Sequence, residues 1–164
     1  MKTIFYTLAL TLFIVSCNTE KQALAEKFDK LQLQHDSIAQ THTEFKSVHE
    51  SMSQKHAEYK AMLDNMEVKD SMMLEDMAKH ETILMQHDAM LKGHDEIIEA
   101  HKDLKADFGE KSAAEMEAQI NEMMTMHEQL MQEHQNMEKE HEMMQEEHGA
   151  IMAKIDSMKT MTPE

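Results

Sequence analysis

The chain has no arginine and no tryptophan, and only one proline (Pro163), three glycines and one cysteine (Cys17). Arginine is the side chain that grips phosphate and carboxylate bidentately. Its absence, with 16 lysines against 32 carboxylates and a net charge of −16, argues against nucleic acid or phosphate as a partner. The same balance favours cations, although an acidic surface also simply keeps a chain soluble. With so little glycine and proline there is little material for turns. With five phenylalanines and two tyrosines there is little for strands, so the expected class is all-α.

What the chain does have is histidine in strict order. The twelve histidines form three groups of four, each spaced by seven residues: His35, His42, His49, His56; His80, His87, His94, His101; His127, His134, His141, His148. Seven residues is two helical turns, so each group is a stripe along one helix face.

The stripes lie in heptad seams. In the first segment Leu24, Leu31, Ile38, Phe45, Met52, Tyr59 and Met66 follow the d positions of a coiled coil, while Phe28, the four histidines and Leu63 follow the a positions. The third repeats this, with Met116, Met123, Leu130, Met137, Met144, Ile151 and Met158 in one column and Ile120, four histidines and Ile155 in the other. The second has Met73, four histidines and Phe108, flanked by the pairs Ile83 with Leu84, Met90 with Leu91 and Ile97 with Ile98. That broader stripe suits a helix touching two neighbours.

The heptad phase slips between groups, which places turns near Asp64 to Ser71 and near Gly109. Ser112 with Glu115 reads as a capping box. Short connections imply antiparallel neighbours. The expected architecture is an up-down-up three-helix bundle over residues 24–160, with helices at about 20–64, 71–108 and 113–160. Folded this way, four histidine layers come into register: His35, His101, His127; His42, His94, His134; His49, His87, His141; His56, His80, His148. In antiparallel packing the second helix uses its histidines as d positions.

Histidine layers would be ~10.5 Å apart, too far for one ion to bridge two. No helix offers a histidine pair at i, i+3 or i, i+4, so a site needs one imidazole from each helix. Three neutral imidazoles with one open position match zinc, and would also take copper, nickel or cobalt. The expectation is up to four zinc or copper ions per chain. One or two polar layers would suffice to set register, whereas twelve buried imidazoles cost far more than register requires.

Asp36, Glu50, Glu81, Asp88, Asp95, Glu128 and Glu142 each follow a histidine, and Glu133, Glu140 and Glu147 each precede one. Such carboxylates could hold the second imidazole nitrogen, but for any single one a solvated acidic face is the expectation. Among the methionines, ten sit in core columns (Met52, Met66, Met73, Met77, Met90, Met116, Met123, Met137, Met144, Met158), where gap-filling is expected. Others, such as Met62, Met72, Met126, Met143 and Met161, do not. Their thioethers hint at Cu(I) or at sacrificial oxidation, and keep copper close behind zinc.

The start of the chain reads separately. Lys2 precedes an apolar run from Ile4 to Val15, too short to span a bilayer and fitting a secretory h-region. The run ends in Ile14, Val15, Ser16, Cys17, which resembles the lipobox of bacterial lipoproteins over residues 1–17. The resemblance implies a signal peptide at 1–16, lipidated Cys17 and a short linker at 17–23. Loss of Lys2 would make the charge −17. Acylated Cys17 would leave no thiol, which removes thiolate metal sites, cysteine nucleophiles and disulfides. By resemblance to the enterobacterial sorting rule, Asn18 favours the outer membrane, on its periplasmic side. The tail at 161–164 carries no signal.

The function expected is thus a lipid-anchored envelope protein that buffers, stores or transfers zinc or copper, with the twelve histidines as ligands, a transfer partner or self-association left open, and no enzymatic activity. Four near-identical sites between apolar layers offer no evident substrate cleft. Gly93 and Gly149, beside His94 and His148, are weak signals of local openings. The alternative is a structural or pH-responsive bundle lipoprotein whose buried histidines bind no metal.

Overall fold

The computed structural model describes the backbone of residues 2–66 and 70–161, and side chains of 19–66 and 70–158. Among the described residues there are three long helices and no strand: α1 (Lys2–Asp64), α2 (Ser71–Asp107) and α3 (Ala113–Met161), with a short 3₁₀ turn at Phe108–Glu110 before α3. α1 starts well before the expected boundary near residue 20. The apolar run from Ile4 to Val15 holds no glycine or proline to stop a helix. Among the described residues no helix is long and apolar enough to cross a membrane. The side chains of the expected signal segment, Cys17 included, and residues 162–164 of the expected tail lie outside the described residues.

The helix ends follow from local chemistry. Asp70 caps α2, its Oδ1 accepting from the backbone N–H of Met72 at 2.9 Å and Met73 at 3.3 Å. Its other oxygen pairs with Lys154 of α3. Ser112 and Glu115 form the expected capping box. The Ser112 N–H donates to Glu115 Oε2 at 2.8 Å, and the Glu115 N–H donates to Ser112 Oγ at 3.4 Å.

The chain divides into two compact units, and each helix lends a segment to both: residues 1–40 with 95–130, and residues 41–94 with 131–164. In the first unit Phe28, Leu31, Phe108, Met116, Ile120 and Met123 form one apolar cluster, with the Phe28 and Phe108 rings stacked at 3.8 Å between centroids. Ile38, Ile98 and Leu130 form a second. In the second unit Phe45, Leu91 and Met137 make one cluster and Met52, Leu84 and Met144 another. A third holds Leu63, Met73, Met77, Ile151 and Ile155.

α2 shows why its apolar stripe is doubled. Leu84, Leu91 and Ile98 are buried, while Ile83, Met90 and Ile97 lie half-buried beside them. Each buried leucine or isoleucine follows a histidine by four residues and precedes the next by three, so in α2 the histidines stand at d. In α1 and α3 the order is reversed and they stand at a. Leu24, Tyr59, Met66, Met90 and Met158, placed in core columns by the heptads, are only half-buried.

Leu130 is fully buried. Leu130→Ala is expected to destabilise the protein by about 2–5 kcal/mol, the range for a leucine cavity that does not collapse. Urea denaturation followed by circular dichroism measures it. A loss under about 1 kcal/mol would mean that the seam is loosely packed.

Candidate metal centres

All twelve histidines are buried, none more than 7% exposed. The heptads deliver them to the seams in sets of three, one from each helix. The four sets are those expected from the sequence: His35, His101, His127; His42, His94, His134; His49, His87, His141; His56, His80, His148. In each set one ring nitrogen from every histidine lies within 4.8 Å of the others. The first set belongs to the first unit and the remaining three to the second.

The three sets of the second unit share one design. The α3 imidazole is a hub whose Nε2 meets Nδ1 of both partners. His134 Nε2 lies 3.0 Å from His42 Nδ1 and 3.3 Å from His94 Nδ1. For His141 the distances are 3.1 Å to His49 and 3.2 Å to His87. For His148 they are 3.3 Å to His56 and 3.1 Å to His80. Two nitrogens bound to one tetrahedral ion at 2.0–2.1 Å are ~3.3–3.4 Å apart. The observed spacings fall within a few tenths of an ångström of that edge.

The outer nitrogens of the α2 histidines meet carboxylates. His94 Nε2 donates to Glu133 Oε2 at 2.5 Å, His87 Nε2 donates to Glu140 Oε2 at 2.5 Å, and His80 Nε2 donates to Glu147. His49 Nε2 donates to Asp88 Oδ1 at 2.9 Å. A neutral imidazole with its proton on one nitrogen offers a lone pair on the other. The carboxylates therefore leave Nδ1 of His80, His87, His94 and His49 facing inward, the arrangement that orients metal-binding histidines.

Glu147 and Asp88 lie on the expected exposed face and Glu133 and Glu140 are half-buried, yet each accepts from an imidazole N–H. Each glutamate sits beside an α3 histidine in sequence but serves a histidine of α2, because its longer side chain reaches across the helix contact. Glu81 pairs instead with Lys60 at 2.6 Å. Glu50, Glu128 and Glu142 are exposed, as expected. Gly93 and Gly149 lie within helices, and a Cβ at either would meet nothing within 4 Å, so packing does not demand glycine beside these sites.

The first set differs. Neither ring nitrogen of His35 or His127 has a hydrogen-bond partner, nor does His101 Nδ1. His101 Nε2 faces a thioether, Met126 Sδ, at 3.2 Å. In the other sets the orphaned ring nitrogens are His56 Nε2 and His141 Nδ1.

Burial sets the protonation state. Desolvation, then the positive charge of neighbouring imidazoles, lowers the α3 histidines His127, His134, His141 and His148 to about 4. Desolvation also lowers His35, His56, His87 and His101. All eight are neutral, as metal ligation requires. Comparison with known protein families, curated proteins and solved structures returns no match.

The depressed values fix the acid response. An unfolded histidine takes its proton near pH ~6.5, while the folded α3 histidines resist until about 4. Stability is therefore full above pH ~6.5 and is lost as pH falls from there towards 4. Metal-free protein is expected to show a steady fall in melting temperature across that window. A flat melting temperature from pH 7 to pH 4 would contradict the buried neutral state.

Proposed function

We propose that this is a metal-binding protein of the bacterial cell envelope, anchored through a lipidated Cys17, whose histidine triads buffer, store or pass on zinc or copper. The observation that carries the reading is the convergence of three imidazole nitrogens at ligand-edge spacing inside a buried seam, with outer N–H groups held by carboxylates. The envelope part rests on the lipobox-like residues 1–17.

Partner order along the helices supports an up-down-up bundle. His42, His49 and His56 rise along α1 as their partners His94, His87 and His80 descend along α2 and His134, His141 and His148 rise along α3. Each ion would need all three helices, so binding is linked to folding. A purely structural polar seam is less well supported, because it would leave seven imidazole nitrogens buried without partners, each costing on the order of 1–3 kcal/mol. Four near-identical enclosed triads favour binding over catalysis.

The experiment is a titration of chelator-stripped protein with Zn²⁺ and with Cu²⁺ or Cu⁺, read by calorimetry and elemental analysis. Three or four tight equivalents per chain are expected. Free metal at 100-fold its dissociation constant adds ~2.7 kcal/mol per site, which corresponds to a rise of roughly 5–10 °C in melting temperature for each. Weak, unsaturable binding with no thermal shift would overturn the reading and leave a pH-responsive seam.

A further inference from the structure

The four triads are equivalent in their histidines but not in what surrounds them. One heptad column of α3 supplies Glu133, Glu140 and Glu147 beside the triads of the second unit, and Met126 beside the triad of the first. One column of α2 supplies Glu81, Asp88, Asp95 and then Lys102. At both positions the first triad replaces an acid, once with a thioether and once with a cation.

The consequences are visible at the imidazoles. Where His94, His87 and His80 donate to a carboxylate, His101 faces Met126 Sδ at 3.2 Å. The other five ring nitrogens of His35, His101 and His127 have no partner, though all three residues are at most 3% exposed. The charged groups acting on this triad are Asp36 and Lys102 at His35, with opposite signs, and Glu122 at His101. None of these carboxylates is hydrogen-bonded to a ring.

A buried ion needs charge compensation. The three carboxylate-backed triads offer it to a divalent ion, whereas the first triad offers mainly neutral donors. Neutral imidazoles with a thioether select soft ions, above all Cu(I). Around a tetrahedral ion, nitrogen at ~2.0–2.1 Å and sulfur at ~2.3–2.4 Å lie ~3.5–3.7 Å apart. His101 Nε2 and Met126 Sδ stand 3.2 Å apart. An ion taken through Nε2, the nitrogen that the other α2 histidines turn outward, therefore needs that pair to open by a few tenths of an ångström.

We infer that the His35, His101, His127 triad with Met126 is a separate soft-ion site that takes monovalent copper, while the other three triads take divalent ions. The inference rests on the metal-binding reading above and adds a division of labour to it. The protein would then hold two oxidation classes of metal at once.

The test uses metal-stripped protein saturated first with Zn²⁺, then titrated anaerobically with Cu⁺, or with Ag⁺ as its redox-inert stand-in. Three zinc ions and one tightly held monovalent ion per chain are expected. Met126→Leu should keep three zinc ions and weaken monovalent binding at least tenfold. Met126→Glu, which restores the acid of the other triads, should raise zinc to four and abolish tight monovalent binding. Helical content by circular dichroism checks that each variant folds.

A readout independent of the variants' folding is the methyl resonance of Met126 in ¹³C-methyl-methionine protein. It should shift with the first equivalent of Ag⁺. Four equal zinc sites in the unaltered protein, undiminished Cu⁺ binding in Met126→Leu, or early Ag⁺ shifts at exposed Met72 and Met85 but not at Met126 would overturn the inference and leave the metal-binding reading intact. Absence of zinc at every triad would instead overturn that reading.

Discussion

Everything in this structure depends on packing twelve imidazoles inside helix seams, where burial holds eight of them below the ordinary histidine value. A protonated imidazole there would be desolvated and set against two others, and four of them are accordingly held to about 4. A neutral imidazole has one N–H and one lone pair, and both need an answer. At His49, His80, His87 and His94 the answer is directional: a carboxylate accepts from the outer N–H, and Nδ1 turns inward, where the rings of the second unit meet at 3.0–3.3 Å. The apolar clusters between the triads hold the helices at the distance this contact needs.

The chain's other oddities follow from that constraint. Methionine fills seam positions such as Met123, Met137 and Met144, all fully buried, where a flexible unbranched side chain can pack against imidazole layers that leave irregular gaps. Aromatic rings lie against the sites, with Phe45 at 5.0 Å from His141 and Tyr59 at 4.9 Å from His148 between centroids. Cysteine is not needed where imidazoles can be brought together from three helices. The acidic residues serve several ends: some carboxylates hold imidazole N–H groups, Asp70 and Glu115 cap helices, and Glu81 pairs with Lys60.

The histidine triads were legible in the sequence because a strict seven-residue period survives folding. His42, His94 and His134 come from three helices, yet phase and capping signals align them. The capping box at Ser112 was equally readable, because its partners are three residues apart. What the sequence concealed was which helix a flanking acid serves. Glu140 precedes His141, but its oxygen accepts from His87 of α2, a choice made by the helix contact. Residues near the ends of the seams, such as Leu24 and Met158, were placed in the core by periodicity. They remain half-buried, because a heptad column does not say how far the neighbouring helix covers it.

In the proposed metal-bound state, imidazoles from three helices, and not surface acids, form the coordination sphere. X-ray absorption of the zinc-saturated protein addresses this most directly. About three nitrogen neighbours at ~2.0–2.1 Å are expected, with the outer-shell scattering characteristic of imidazole rings. A shell of oxygen neighbours without imidazole scattering would place the ions on the acidic surface and contradict it.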